Sequence, residues 1–288
     1  MKSRHPVAVT LGVFFLAAVC QPTEAPGAEL KPATLEAFEK YVKATEARID
    51  GEMKSPSQYM YLDRLPETRR NTALAALKSG EVYMERLKTA DQTGQEIKIP
   101  DGLIHHWLGV VFVPETTISQ VLELVQDYDR HKDVYKPEVV RSKLVSRSGD
   151  DFKIFYRLRK KKVITVTLDT DHDVYYYPVQ GTRCHSRSYT RRIQEIADAD
   201  KPAEKPKPVG QDSGFLWRLN SYWKFEQKDG GVYLECESIS LTRNIPMILS
   251  PLIKPFVTEI PKESLQMTLG STRRVFVEEA NREGAKGR

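Results

Sequence analysis

The chain has 288 residues, of which 29% are charged and 9% aromatic, and its 44 Lys and Arg against 39 Asp and Glu leave a formal net charge of +5. So slight an excess, mixed with so many acids, excludes a nucleic-acid binder. The length suits one domain with an appendage or two small ones, enough to build a sizeable core.

At the amino terminus Lys2 and Arg4 precede an apolar run over 7–19, followed by Pro22 and small residues up to Ala28. This reads as a secretory signal peptide over 1–28. The run is shorter than the ~20 residues of a transmembrane helix, and no later stretch approaches that length without charges. A soluble, periplasmic or secreted mature protein is expected, and losing Lys2, Arg4 and Glu24 takes its net charge from +5 to +4. Cys20 follows Ala17-Ala18-Val19, a poor lipoprotein match because a small residue belongs where Val19 stands.

Residues 29–102 read as a mostly helical extension ending in a linker. Leu35, Phe38, Val42, Thr45 and Ile49 recur at helical spacing over 34–53, and a second helix runs from Pro66 to Gly80. A short strand is expected over 81–87, and the polar stretch 89–102 carries Gly94, Pro100 and Gly102. From 103 to 281 the pattern changes. An apolar strand over 103–113 is followed by a helix opened by Thr116 or Thr117 with Ile118, Val121, Leu122, Val125 and Tyr128 on one face. Strand-length segments follow over 139–146, 152–159, 163–170 and 183–196. The Asp-, Lys- and Pro-rich stretch 197–214 reads as a mobile loop. Two helical pieces close the chain before a polar tail over 282–288: one over 245–260 with Leu252, Ile253 and Phe256, interrupted by Pro251 and Pro255, and one from Pro261 through Leu265, Leu269, Thr272 and Phe276.

The strongest pattern lies over 215–225. Odd positions carry Phe215, Trp217, Leu219, Ser221, Trp223 and Phe225, whereas even positions include Arg218, Asn220 and Lys224. Across the turn at 228–231, an even-length loop puts Leu234, Cys236, Ser238 and Ser240 on the tryptophan face and Glu235 opposite Lys224 outside, where Glu235 and Glu237 read as a solvated face. Cys184, Ser186, Ser188 and Thr190 make a second face of small polar residues. Large aromatics facing small polar side chains mark the wall of a cavity. Because a strand separates Cys184 from Cys236, two buried thiols are expected rather than a disulfide.

The order of strand and helix, antiparallel strands and a long terminal helix resembles the helix-grip fold. Two stretches carry the resemblance: 109–128, a strand and helix ending in Asp127-Tyr128, and 232–269, where the last strand passes through Asn244-Ile245-Pro246 into an apolar segment and the terminal helix. Together they resemble the SRPBCC superfamily, which includes START lipid-transfer domains and polyketide cyclases. The resemblance implies an α+β fold with a curved antiparallel sheet wrapped on the terminal helix, and a cavity for a lipid or other hydrophobic small molecule.

The expected ligand-binding residues are Trp217, Leu219, Ser221, Trp223 and Phe225 on one wall, Cys184, Ser186, Cys236 and Ser238 giving room, and Leu252, Ile253 and Phe256 covering the entrance, with Tyr128 and Arg157 as polar candidates. No cofactor or metal is expected: His105 and His106 point to opposite faces of a strand, and His131, His172 and His185 lack ligand spacing. Arg157, Arg159, Lys160, Lys161 and Lys162 form a basic turn that either touches an anionic membrane surface transiently or keeps a strand soluble. No catalytic motif is present. The reading is an exported, monomeric binding protein; the alternatives are a cyclase or aromatase using Tyr128, Tyr135 or Arg157, and an envelope interaction module.

Overall fold

The computed structural model describes residues 29–162, 164–208, 212–244 and 259–286. The signal peptide and the apolar segment with Leu252, Ile253 and Phe256 lie outside the described residues.

The strands are β1 (Tyr83–Arg86), β2 (Gly102–Pro114), β3 (Val139–Ser148), β4 (Asp151–Lys161), β5 (Thr165–Gln180), β6 (Arg183–Ala197), β7 (Lys205–Pro206), β8 (Arg218–Lys228) and β9 (Gly231–Arg243). They form a nine-stranded sheet in the order β1-β2-β9-β8-β6-β5-β4-β3, with β7 paired to β6. The β8–β9 turn has two residues, Asp229 and Gly230, with φ of 56° and 75°, the left-handed pair whose twist matches a hairpin. It sets the register read from the sequence, with Trp223 opposite Cys236, Ser221 opposite Ser238 and Lys224 opposite Glu235. β5 runs ten residues past Thr170, because Tyr175, Tyr176 and Tyr177 extend a strand that the sequence reading ended too early.

The helices are α1 (Pro32–Met53), α2 (Glu67–Ser79), α3 (Ile118–Gln126), α4 (His131–Val134) and α5 (Ile260–Lys286). Thr117 caps α3 in a capping box with Gln120, and Gly80, at φ 100°, ends α2. α5 lies on the inner face of the sheet, where Leu265 and Leu269 pack against β2. A Cβ on Gly109 would stand 2.4 Å from Leu269 Cδ1, so only glycine admits the helix so closely.

The amino-terminal extension covers the outer face. Phe38, Tyr41 and Ile49 of α1 pack on Tyr222, Ile239 and Leu241, while Tyr59, Met60, Leu62 and Leu77 pack on Leu108, Val110, Phe112 and Tyr233. β1 joins the same sheet, and Ile97, in the stretch expected as a linker, is buried with α1. β2 and β9 are therefore buried on both faces.

This cover corrects the reading of Glu235 and Glu237. Their register is as expected, but they are 1% and 2% exposed and Lys224 is 2% exposed. Lys224 Nζ lies 2.8 Å from Glu52 and 3.0 Å from Glu235; Arg48 pairs with Glu52 and Glu237, and Arg64 with Glu52. His106 Nε2 is 2.6 Å from Glu237, and its Nδ1 is 2.9 Å from the Tyr41 hydroxyl. Alternation along a strand fixes the face, not what covers it. The stretch 197–214 is also tied down where described: Glu204 bonds Arg157, Lys207 bonds Glu195, and β7 pairs with β6.

Candidate functional site

Between the inner face of the sheet and α5 lies a cavity of about 280 Å³. Strand alternation aims its lining. β4 supplies Ile154, Tyr156 and Leu158, and β5 supplies Leu168, His172 and Tyr176. Ser186 and Ser188 come from β6, and Leu219, Ser221, Trp223 and Phe225 from β8. Cys236, Ser238 and Ser240 come from β9, and Leu265 with Met267 from α5. His131, which opens α4, and Tyr128 and Tyr135 on either side of that helix also line the cavity.

Of the residues expected from the sequence, Leu219, Ser221, Trp223, Phe225, Ser186, Cys236, Ser238 and Tyr128 meet at this cavity. Cys184 faces inward but does not border it, because its thiol is packed in the core and donates to the Tyr177 carbonyl at 3.1 Å. Cys184 and Cys236 are free buried thiols with β8 between them. Two expectations are corrected. Trp217 precedes β8, donates its backbone N–H to Leu241, and turns to the outer face among Phe38, Tyr41 and Leu241; the odd-position rule holds only within the paired strand. Arg157 points outward, since Ile154, Tyr156 and Leu158 take the inner positions of β4, and its guanidinium is held by Asp169 at 2.7 and 2.8 Å and by Glu204 at 2.7 Å.

The polar wall is hydrogen-bonded within itself. His131 Nδ1 is 2.6 Å from the Tyr156 hydroxyl, the Tyr128 and Tyr176 hydroxyls are 3.1 Å apart, and the Tyr135 hydroxyl is 3.1 Å from Thr272. His172 Nε2 lies 2.9 Å from the Thr170 hydroxyl. Burial drives His131 and His172 down to about 4 and pushes the Tyr135 phenol up to about 12. The Tyr128, Tyr156 and Tyr176 phenols are raised by the same cause. At neutral pH these groups are uncharged. Among the described lining residues, charge is confined to Lys160 and Glu138, which pair with each other; burial pulls the lysine down against the pull of that carboxylate. In the basic turn Arg159 pairs with Asp200 and Lys162 with Glu263.

Sequence reading missed Tyr156, His172 and Tyr176, although alternation through Ile154-Tyr156-Leu158 and His172-Val174-Tyr176 carried the signal. His131 sits on a four-residue helix and had none. Among the described residues no group of His, Cys, Asp and Glu could hold a metal ion.

An antiparallel sheet gripping one long carboxy-terminal helix over a cavity defines a helix-grip, START-like fold. No family model and no curated protein matches the chain. Among solved structures it is similar to a STAR-related lipid transfer protein from Xanthomonas axonopodis, with 14% identity, a TM-score of 0.42, and 67% of this chain and 98% of that one covered. Human STARD10 gives 11% identity, a TM-score of 0.43, and coverage of 75% and 84%. The Zhui aromatase/cyclase from Streptomyces sp. R1128 gives 8% identity, a TM-score of 0.41, and coverage of 62% and 96%.

Proposed function

We propose that the protein binds a hydrophobic small molecule or lipid in this cavity and, once exported, holds or carries it in the cell envelope. The observation that carries the reading is a space of about 280 Å³, lined mostly by apolar side chains, between Trp223, Phe225, Leu168 and Leu265. Interiors close such spaces unless something else occupies them.

The charge state of the wall favours binding over acid–base catalysis. A general acid or base works best with a pKa near the working pH, whereas here the histidines lie near 4 and the phenols are pushed up. Native mass spectrometry with organic extraction, on protein purified without detergent from an exporting host, tests the reading. A stoichiometric lipid-sized adduct is expected. An empty protein that also takes up no added apolar compound refutes it. Amino-terminal sequencing of the envelope fraction tests export, with cleavage near Ala28 expected.

A further inference from the structure

The cavity floor is unlike a surface made for hydrocarbon. Ser188, Ser221 and Ser238 face one another across β6, β8 and β9 by register, forming a row of hydroxyls. The hydroxyls of Ser221 and Ser238 have no hydrogen-bond partner among the described residues, and both residues line the cavity. Ser188 reaches only His172 Nδ1, at 3.5 Å. Independently of this row, Ser186 and Ser240 flank it, 2% and 3% exposed. Both line the cavity, and Ser240 Oγ is buried without a hydrogen-bond partner among the described residues. Buried hydroxyls in a native interior are nearly always bonded, as the Tyr128–Tyr176 and His131–Tyr156 pairs on the opposite wall are. Ser240 Oγ departs from that rule, and Ser188, Ser221 and Ser238 are half-buried and open on the cavity, so the floor offers donors and acceptors to whatever occupies the space.

We infer that the cavity selects an apolar molecule bearing hydroxyl or carbonyl oxygens along one edge, and discriminates against a plain acyl chain. The inference rests on the cavity-binding reading above and specifies its ligand chemistry. A methylene chain laid over the row would leave the Ser221 and Ser238 hydroxyls dry and unpaired, whereas a ligand oxygen satisfies each one it meets. Adjacent strands stand ~4.8 Å apart, so the hydroxyls recur at about that interval across the sheet. Meta-related oxygens on an aromatic ring recur at a comparable interval, and Trp223 and Phe225, stacked with their planes 7° apart, offer that ring a flat neighbour.

The test uses three probes with the mature protein: 1,3-dihydroxyanthraquinone, anthracene as its oxygen-free counterpart, and oleate. Quenching of tryptophan fluorescence reads binding, and native mass spectrometry confirms one-to-one complexes. The dihydroxyanthraquinone is expected to bind at least about tenfold more tightly than anthracene or oleate, and the Ser221→Ala/Ser238→Ala variant to lose that preference, each hydroxyl being worth about threefold to tenfold. Ser186→Ala, off the row, is an independent second variant expected to lose about threefold. Melting curves verify that the variants fold. Equal or tighter binding of oleate, or a preference unchanged in both variants, overturns this inference and leaves the cavity reading standing. Failure of all three probes to bind folded protein overturns both.

Discussion

The β8–β9 hairpin shows two kinds of interior on its two faces. Inward, Ser221, Trp223, Cys236 and Ser238 border open space and unbonded hydroxyls. Outward, Tyr222, Lys224, Glu235 and Glu237 are almost completely enclosed, with their charges matched by Arg48, Glu52 and Arg64. The same strands at the same register thus supply a binding surface on one side and a sealed packing surface on the other. The difference is set by what lies opposite. The amino-terminal extension packs on the outer face of β8 and β9 and buries their side chains, and α5 bridges the inner face without filling it.

Breaking the sealed face has the largest expected consequence. Lys224→Ala strands Glu235 in a buried site, Glu52 keeping Arg48 and Arg64, and breaking a buried pair in this way typically costs about 3–5 kcal/mol; a urea titration reads it, and a loss below about 1 kcal/mol would mean that the outer cluster is solvated. On the inner face, His172 titrates at about 4 when folded against 6.5 when free. Its folded value is depressed, so the unfolded chain binds more protons between the two. Stability is therefore full above about pH 6.5 and falls as pH drops toward 4, by about 3 kcal/mol for this one group. His172→Gln is expected to remove that share of the slope, and an unchanged profile would show that the histidine already meets solvent.

Ser238→Phe sharpens the contrast further. The new ring enters existing space, so the expected change in stability is under about 1.5 kcal/mol, while uptake of any cavity ligand is lost. Retained uptake would take the β9 wall out of the site. The smallest effect belongs to the part of the outer face that the extension leaves open. There Arg192 pairs with Asp171 at 2.6 Å with half of its side chain exposed, and Arg192→Ala is expected to cost less than about 1 kcal/mol in thermal melts, diminishing further in high salt.

Much of the fold was legible because its signals are local. Alternation over 219–225 and 234–240 assigned faces, and Asp229-Gly230 fixed the hairpin register. Leu265 and Leu269 marked the gripping helix. The site was legible where both sides of a strand pair could be read together, as at Trp223 and Cys236. It was illegible at His131, on a helix too short to have a period, and wrongly read at Trp217, where the alternation was carried past the end of the ladder. Arg157 was ambiguous because a cationic side chain at a strand position gives no facing of its own.

The sequence by itself determined which residues share a face, where strands turn and where helices stop, since all of these follow from backbone geometry within a few residues. Only the tertiary structure decided which face would be sealed and which left open. Glu235 and Glu237 look like solvent-facing carboxylates in any local window. They are buried because the amino-terminal extension covers them, with Arg48, 189 residues earlier in the chain, bringing the opposite charge to Glu237 while Lys224 of the neighbouring strand pairs with Glu235. Burial of a charge depends on partners that chain proximity does not reveal, and so does the survival of a cavity.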